Sequence, residues 1–155
     1  MKLEGVKRAG FRTISIAGIR DPILIATIDS VLDTIRTKTK EATGFEGGLF
    51  FHLYGKNAVM GAQEPDKDGT PRELGLVMEV IADSQQQANY VCSYVRSTLL
   101  HFGYPGRIST AGNLALLYSP SDIPSGKVFV FNIYHLMEVD DPKGLFPVQI
   151  CEVRP

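Results

Sequence analysis

The sequence has almost no excess of charge, no long apolar run and no apolar stretch in its first residues, and each of these absences argues against a class of protein. Lys and Arg number 16 against 17 Asp and Glu, for a formal net charge of -1. The chain therefore lacks the basic surface that supplies most of the affinity for nucleic acid or for an anionic membrane. No apolar run approaches the roughly 20 residues of a membrane-spanning helix, and the first residues lack the apolar stretch of a signal. We predict a cytoplasmic protein that binds neither nucleic acid nor membrane.

Cysteine is also scarce, and two cysteines are too few for a disulfide framework. Cys92 falls on the apolar stripe of a predicted helix and Cys151 falls in a predicted C-terminal strand, so both are expected to be buried thiols. His135 and Glu138 are three residues apart, which would place them on opposite faces of a regular strand rather than as a metal-binding pair. We predict no metal site and no cofactor.

Hydrophobic periodicity predicts strands alternating with two helices. The chain has 155 residues, of which 44% are hydrophobic, and this fits a single domain over residues 1–155. One helix is predicted from 22 to about 41, and a second from a cap at Asp83 or Ser84 to about 102. Strands are predicted over 12–19, 49–54, 74–82, 114–118, 128–139 and 148–153.

The order strand-helix-strand-strand-helix-strand predicts an α+β fold, a ferredoxin-like βαββαβ sandwich with one or two extra C-terminal strands. In that arrangement both helices cover one face of an antiparallel sheet, so the other face meets water, extra strands or a partner. Residues 49–54 and 129–135 are hydrophobic on both alternating sides, which is unusual in a monomer. We expect a homo-oligomer or a partner subunit.

The expectation of an oligomer or a partner depends most on the predicted strand 128–139. Because side chains alternate along a strand, Phe131 and Tyr134 point to opposite faces. We expect one face to pack on the helices and the other to pack on a partner chain. The alternative is that residues 145–153 of this chain cover the second face.

The densest group of turn-forming and polar residues lies in residues 104–113, which we call the motif loop, and in the turn at 119–122. A carboxylate or a phosphate could be bound there by a guanidinium, by hydroxyl and amide groups, and by backbone N–H groups next to glycine. A histidine in a strand is a candidate acid or base. The candidate substrate-binding residues are Arg107, Ser109, Thr110, Asn113, Ser121, Asp122 and His135. The alternative is a turn held by local hydrogen bonds, and we assign no catalytic residue.

Short motifs spread over nearly the whole chain carry a family resemblance. They are Gly18–Pro22, Tyr54-Gly55, Val59–Gly61, Arg96–His101, Tyr104–Arg107, Thr110–Asn113, Ser119–Asp122 and Val139–Pro142. Together they resemble the C-terminal part of the acyclic terpene utilisation (AtuA-like) family. Members of that family usually carry an additional N-terminal α/β domain, so the resemblance implies either a separately encoded small subunit or a piece of a longer protein.

The resemblance implies, as the leading hypothesis, a small subunit or partner-binding domain of an AtuA-like complex in acyl-CoA or branched-chain and terpenoid acid catabolism. Its expected partner is a larger AtuA-like subunit or a second copy. One alternative is a lyase or hydratase whose carboxylate or acyl-CoA substrate sits on Arg107, with His135 or Asp122 moving protons. Another is a domain that senses a small molecule at an oligomer interface. Whether the chain is an enzyme stays open among these hypotheses.

Overall fold

The computed structural model describes residues 1–66 and 69–153, which fold into alternating strands and helices. The strands are β1 (Lys2–Ile19), β2 (Gly48–Tyr54), β3 (Leu74–Ala82), β4 (Ala115–Leu116) and β5 (Asp122–Leu136), and the helices are α1 (Pro22–Thr43), α2 (Gln85–Leu100) and α3 (Pro142–Leu145). These five strands form one antiparallel sheet in the order β2-β3-β1-β4, and β5 pairs with β1. The predicted α+β class is confirmed, and the ferredoxin-like assignment within it stays a prediction.

Helix α1 begins where the sequence predicts, because Asp21 and Pro22 supply a cap and a pre-organised first turn. The Asp21 carboxylate accepts hydrogen bonds from the backbone N–H groups of Ile23 at 2.8 Å and Leu24 at 3.3 Å. The helix ends at Thr43 and is capped by Gly44, whose φ of 65° is the left-handed conformation that glycine adopts without strain. One stripe of the helix is buried, and it includes Leu24, Ile28, Val31, Leu32 and Ile35.

Helix α2 begins at the predicted cap, where the Ser84 hydroxyl accepts a hydrogen bond from the Gln87 N–H at 3.2 Å. It ends at Leu100, slightly before the predicted end, and Phe102 lies partly buried beyond it. Its apolar stripe packs against β3, and the buried residues of α1, α2 and β3 belong to one core on this side of the sheet. The buried side chains of α2 and β3 are Ala88, Val91, Cys92, Val95, Leu99, Leu74, Leu76, Met78, Val80 and Ala82.

Contacts divide the chain into two compact units. One unit is Ala9–Val128, and the other consists of Met1–Arg8 together with the chain from Phe129 onward. The latter unit contains a two-stranded antiparallel ribbon, residues 2–8 of β1 beside residues 129–136 of β5, which we call the N-terminal ribbon. Beside it Met1 and Met137 exchange hydrogen bonds of 2.5 and 2.8 Å, and Gly5 lies against Ile133. The prediction of a single domain over 1–155 stays a prediction.

The ends of the chain differ from the predicted elements. Strand β1 begins well before residue 12, because β5 continues beside it and pairs with the added residues. The strand predicted over 148–153 does not form, and residues 146–153 have no regular structure. Cys92 is buried as predicted, but the prediction for Cys151 is wrong: it is exposed, because none of the described strands pairs with this segment.

In the predicted strand 128–139, residues 129–136 are exposed on both alternating sides, and the packing of one face on the helices stays a prediction. Phe131 and Tyr134 are 69% and 72% exposed, although they point to opposite faces. The strand begins at Asp122 rather than near 128, and Val128 is the one buried residue of β5. Residues 145–153 do not cover it either, because their own large apolar side chains are exposed: Leu145, Phe146, Val148, Ile150 and Val153.

Candidate functional site

The motif loop is fastened to the start of α1 by three polar side chains that meet at one point. The Tyr104 hydroxyl donates a hydrogen bond to Asp21 Oδ2 at 2.7 Å. The Asn113 amide donates to the same carboxylate oxygen and to the Tyr104 hydroxyl, each at 2.7 Å. Asn113 is buried and Tyr104 is partly buried against the core. We call these three side chains the Asp21 cluster.

Both carboxylate oxygens of Asp21 are engaged, because Oδ1 caps α1 while Oδ2 accepts from Tyr104 and Asn113. The hydrogen bond from Tyr104 is the main cause that lowers the pKa of Asp21, and it outweighs the opposing effect of burial. Burial, followed by the bond to the carboxylate, raises the pKa of Tyr104 to about 12. The cluster therefore holds a carboxylate anion and a neutral phenol near pH 7, which is an anchoring arrangement rather than a proton-transfer pair.

Backbone hydrogen bonds reinforce the same junction. The Gly112 carbonyl accepts from the N–H groups of Arg20 at 2.8 Å and Asp21 at 3.1 Å. Within the loop, the Thr110 N–H donates to Asn113 Oδ1 at 2.8 Å, and the Asn113 N–H donates to the Thr110 carbonyl at 3.2 Å. The local-turn interpretation therefore describes how Thr110 and Asn113 bond to each other. It does not describe their long-range attachment to α1.

An open pocket of about 350 Å³ lies beside the cluster. Its walls are mostly apolar, and they include Pro22, Ile23 and Ile108. Gly106 has a φ of 79°, and a Cβ at this position would lie 3.0 Å from Ile23, so a side chain here would be strained and crowded. One guanidinium, that of Arg20, lies in the lining, and one of its N–H groups donates to the Arg72 carbonyl.

A larger cavity of about 560 Å³ lies among the loop residues between Gly55 and Pro71. Two residues of that loop, Lys67 and Asp68, lie outside the described part of the chain. None of the predicted site residues lines this cavity. The smaller pocket contains Thr110, one of the predicted residues, and it borders the Asp21 cluster. We therefore take the smaller pocket as the candidate site.

The remaining predicted residues of the motif loop do not converge on this pocket. The Arg107 guanidinium donates to the Leu100 carbonyl at 3.2 Å, which ties the loop back to the end of α2. Ser109 is exposed. The structure thus gives Arg107 an anchoring contact within its own unit and leaves Ser109 facing solvent.

Asp122 belongs to a different group. Its two carboxylate oxygens accept from Arg96 Nε at 2.8 Å and Arg96 Nη2 at 3.1 Å, a paired geometry that is stronger than a single bond. The neighbouring Ser121 carbonyl accepts from the Ser15 hydroxyl at 3.1 Å. These contacts fasten the start of β5 to α2 and β1. His135 lies in the N-terminal ribbon, which belongs to the other compact unit.

A second polar group lies on the sheet face opposite the helices. Glu79 on β3 accepts from Arg12 on β1 at 2.6 Å, and its other oxygen lies 2.8 Å from His52 Nε2 on β2. We call these side chains the Glu79 row. Around it the face carries partly buried or exposed apolar side chains, including Ile16, Val77 and Phe50. This open face combines apolar surface with a satisfied ionic group.

Sequence reasoning missed Asp21 and Tyr104 as members of the site. Helix capping uses one carboxylate oxygen of Asp21 and leaves the second oxygen available to another donor. Tyr104 lies inside the motif loop and its hydroxyl needs a partner when the ring is buried. A polar cap beside a glycine-rich loop was the available signal, but the distance of 92 residues between Asp21 and Asn113 gave no indication of contact.

Neither a metal centre nor a membrane span is found in residues 1–66 and 69–153. No group of three His, Cys, Asp or Glu side chains there is arranged to hold a metal ion. No helix in this described part is both long and apolar enough to cross a bilayer.

Comparison with protein-family models, with curated proteins and with solved structures gives no match to this chain.

Proposed function

We propose that this chain is a cytoplasmic partner-binding subunit of an AtuA-like complex that acts in acyl-CoA or branched-chain and terpenoid acid catabolism. The family comes from the motif resemblance, and the binding role is carried by the exposed N-terminal ribbon. The sheet order β2-β3-β1-β4 is the order expected of a ferredoxin-like βαββαβ unit, and it supports that fold as part of the proposal.

The single observation that carries the binding role is the apolar surface of the ribbon. Phe129, Phe131 and Ile133 alternate with Val130 and Tyr134, and all five are exposed. Burying a side chain of this size contributes about 1.5–3 kcal/mol, so covering even three of them is comparable with the whole net stability of a small domain. Monomeric proteins rarely expose this many neighbouring large apolar side chains without a binding role.

The contacts of the candidate residues favour binding over catalysis. Asp122 is paired with Arg96, Arg107 is bonded to the Leu100 carbonyl, and the Asp21 carboxylate accepts four hydrogen bonds. Groups held in this way shape and stiffen a loop, whereas a general base needs an oxygen or nitrogen within reach of the substrate proton. The proposal therefore assigns these residues to the architecture of the subunit.

A second candidate function, binding of a carboxylate or acyl-CoA ligand, is favoured by the pocket beside the Asp21 cluster. The apolar walls and the Arg20 guanidinium match a ligand that has a hydrocarbon part and one anionic group. The Asp21 carboxylate also lines the pocket, but four hydrogen bonds already hold it. Calorimetric titration with a short-chain acyl-CoA tests this function. We expect Arg20→Gln to weaken binding and Arg107→Ala to weaken it less, and no measurable binding to the parent chain would contradict the candidate.

The partner-binding role is tested by placing a charge on the ribbon. We expect Phe131→Asp and Tyr134→Asp to remove assembly with a larger AtuA-like subunit or with a second copy, because a buried unpaired carboxylate is strongly unfavourable. Tyr90→Asp is the matched control, since Tyr90 is an exposed aromatic on α2, in the other unit.

The measurements are light scattering for mass, co-purification from the native source for a partner, and circular dichroism for the fold. Loss of assembly in the two ribbon variants, with parent-like dichroism and an intact control, supports the proposal. If the parent chain is a stable monomer that co-purifies with no other protein, the subunit role is wrong.

A further inference from the structure

Strand β2 forms an open edge of the sheet in the unit Ala9–Val128. Among the described strands, β3 is its one neighbour, so one side of β2 has no strand beside it. Its seven residues, Gly48–Tyr54, include no proline, lysine, arginine or carboxylate, although proteins commonly use such residues to keep an exposed edge from pairing. This edge is therefore open to a further strand.

The backbone directions across the sheet follow from one hydrogen bond. The Leu117 N–H donates to the Ile16 carbonyl at 3.1 Å, so the backbone groups of Ile16 point away from β3. Ile16 lies opposite Val77 of β3, and Val77 lies opposite His52 of β2. Bonded and non-bonded pairs alternate in an antiparallel sheet, so Val77 and His52 bond to each other. The neighbours of His52 in β2 therefore direct their backbone groups to the open side.

Three residues of β2, Leu49, Phe51 and Leu53, thus face the open side with their N–H and C=O groups. Two contacts agree with this direction: the Arg36 guanidinium donates to the Leu49 carbonyl, and the backbone N–H groups of residues 56–58 donate to the Leu53 carbonyl at 3.1–3.2 Å. Phe51, between them, has no backbone partner on this side among the described residues. Because a carbonyl oxygen has two lone pairs, Leu49 and Leu53 can still accept from an added strand.

The order of residues in β2 is complementary to itself. If two copies of β2 pair antiparallel about a two-fold axis at Phe51, each Leu49 lies opposite the second copy's Leu53, and the two Phe51 side chains lie together. On the other face Tyr54 lies opposite the second copy's Gly48, and an aromatic ring beside a glycine is a favourable cross-strand pair. An unrelated strand would have to supply this pattern, whereas a second copy already carries it.

Helix α1 carries two opposite charges beside this edge. Arg36 lies over the Phe51 ring, 4.7 Å from its centre, and Asp33 is its neighbour on the exposed surface of the helix. The two-fold axis reverses the direction of α1 in the second copy, so Asp33 of each copy faces the other copy's Arg36. Both charges are available, because no described residue bonds to the Asp33 carboxylate and Arg36 contacts a neutral carbonyl and a ring.

We propose that β2 pairs with β2 of a second copy of this chain, antiparallel and centred on Phe51. The pairing joins the two sheets into one continuous sheet and places both α1 helices on the same face of it. Bonded pairs centred on Phe51 supply up to about six backbone hydrogen bonds, and the contact between Asp33 and the second copy's Arg36 occurs twice. This interface lies in the unit Ala9–Val128 and does not use the ribbon, so it goes beyond the proposed function and does not depend on it.

The first experiment tests the register with a disulfide. Residues of a bonded antiparallel pair have Cα atoms about 5.5 Å apart, which a disulfide can bridge. We expect Phe51→Cys in the Cys151→Ser chain to give, on mild oxidation, a covalent dimer of twice 17.0 kDa on a non-reducing gel. Phe50→Cys in the same chain is the matched control, because the two copies of residue 50 would lie diagonally, about 7–8 Å apart, beyond the reach of a disulfide.

Circular dichroism of both reduced variants checks that they fold. Cross-linking of Phe51→Cys alone supports the proposal. Equal cross-linking of both variants, or cross-linking of neither, overturns it.

The second experiment reverses the charges on α1, at two exposed positions. We expect Arg36→Glu and Asp33→Lys each to weaken the dimer at least about tenfold in sedimentation equilibrium, because like charges then face each other, and the double variant to regain most of the lost affinity. Lys38→Glu is the matched control, since it makes the same charge change about 200° around the helix from Arg36. Equal weakening by Lys38→Glu, or no recovery in the double variant, overturns the proposal.

The outcomes also separate this interface from the ribbon. The Phe131→Asp chain keeps the β2 edge, so Phe51→Cys is expected to cross-link in that chain as well, and loss of cross-linking there would overturn the proposal. A parent chain that stays monomeric at every concentration overturns the β2 pairing, and the subunit role is then decided by association with a larger subunit. A dimer that is lost in Phe131→Asp but unchanged in Arg36→Glu overturns the β2 pairing and leaves the ribbon as the interface.

Discussion

Replacement of Tyr104 by phenylalanine removes one hydroxyl from the centre of the Asp21 cluster and leaves the ring in place. The hydroxyl donates to Asp21 and accepts from Asn113, each at 2.7 Å. The Asn113 amide keeps its second bond, to Asp21 Oδ2, so it does not become unpaired. The principal loss is one hydrogen bond from a partly buried donor to a carboxylate, and such bonds contribute about 1.5–3 kcal/mol.

We therefore expect Tyr104→Phe to lower the free energy of unfolding by about 1.5–3 kcal/mol near pH 7. Urea denaturation followed by circular dichroism measures it. Tyr90→Phe is the matched control, because this ring is 59% exposed, and substitutions of exposed groups usually change stability by less than about 0.5 kcal/mol. Equal stability of Tyr104→Phe and the parent would refute the anchoring role of the cluster.

The same variant has a predicted pH dependence. Because the folded state lowers the pKa of Asp21 below 3.8, the stabilisation is present above that value and is lost as the pH falls through the folded pKa. Tyr104 is the main cause of this shift. The stability difference between parent and Tyr104→Phe should thus shrink as the pH falls below 3.8. A difference that stays constant or grows in acid would mean that the hydroxyl acts on a group other than the Asp21 carboxylate.

Three further predictions concern other parts of the unit Ala9–Val128 and are also measured on the purified chain. Arg96→Met should destabilise the fold by about 1.5–3 kcal/mol in urea because it leaves a mostly buried carboxylate without its partner. Lys40→Met removes one member of a fully exposed pair and should change the urea midpoint much less, because solvent screens that pair. Equal effects of the two substitutions would contradict this. Gly44→Ala should cost about 1–2 kcal/mol, because the left-handed φ strains any side chain although the space around it is open; a neutral result would mean that the helix ends differently. The Cys151→Ser variant leaves Cys92 as its one thiol. This thiol should not react with a thiol reagent until the chain unfolds, because burial raises the pKa of Cys92 to about 12. Fast labelling of the folded chain would instead show that α2 opens.

The parts of the fold that follow from local chemistry were predictable. Asp21-Pro22 and Gly44 define α1 because capping and the left-handed conformation act within a few residues. Strand β3 matches its predicted bounds, because its alternate side chains carry a clear period of two. In these elements the local preference and the tertiary contacts agree.

Strands that depend on pairing with a distant part of the chain could not be predicted from the local sequence pattern. Residues 2–8 have no marked strand pattern and become a strand because residues 129–136 lie beside them. Residues 148–153 have the pattern and remain irregular because none of the described strands pairs with them. The same reason applies to the candidate site: Tyr104 and Asp21 meet through the tertiary fold, and no spacing in the sequence encodes the contact.

The Glu79 row also favours one register among strands β1, β2 and β3. Glu79 lies opposite Ile14 on β1 and Phe50 on β2, and it bonds diagonally to Arg12 and His52, two positions from these neighbours. A slip of β3 by one residue would turn its carboxylate toward the apolar core and place Met78 or Val80 in solvent. Wrong alignments of these strands therefore lose an ionic contact and expose a core side chain together, which selects a single pairing from the many that a hydrophobic strand permits.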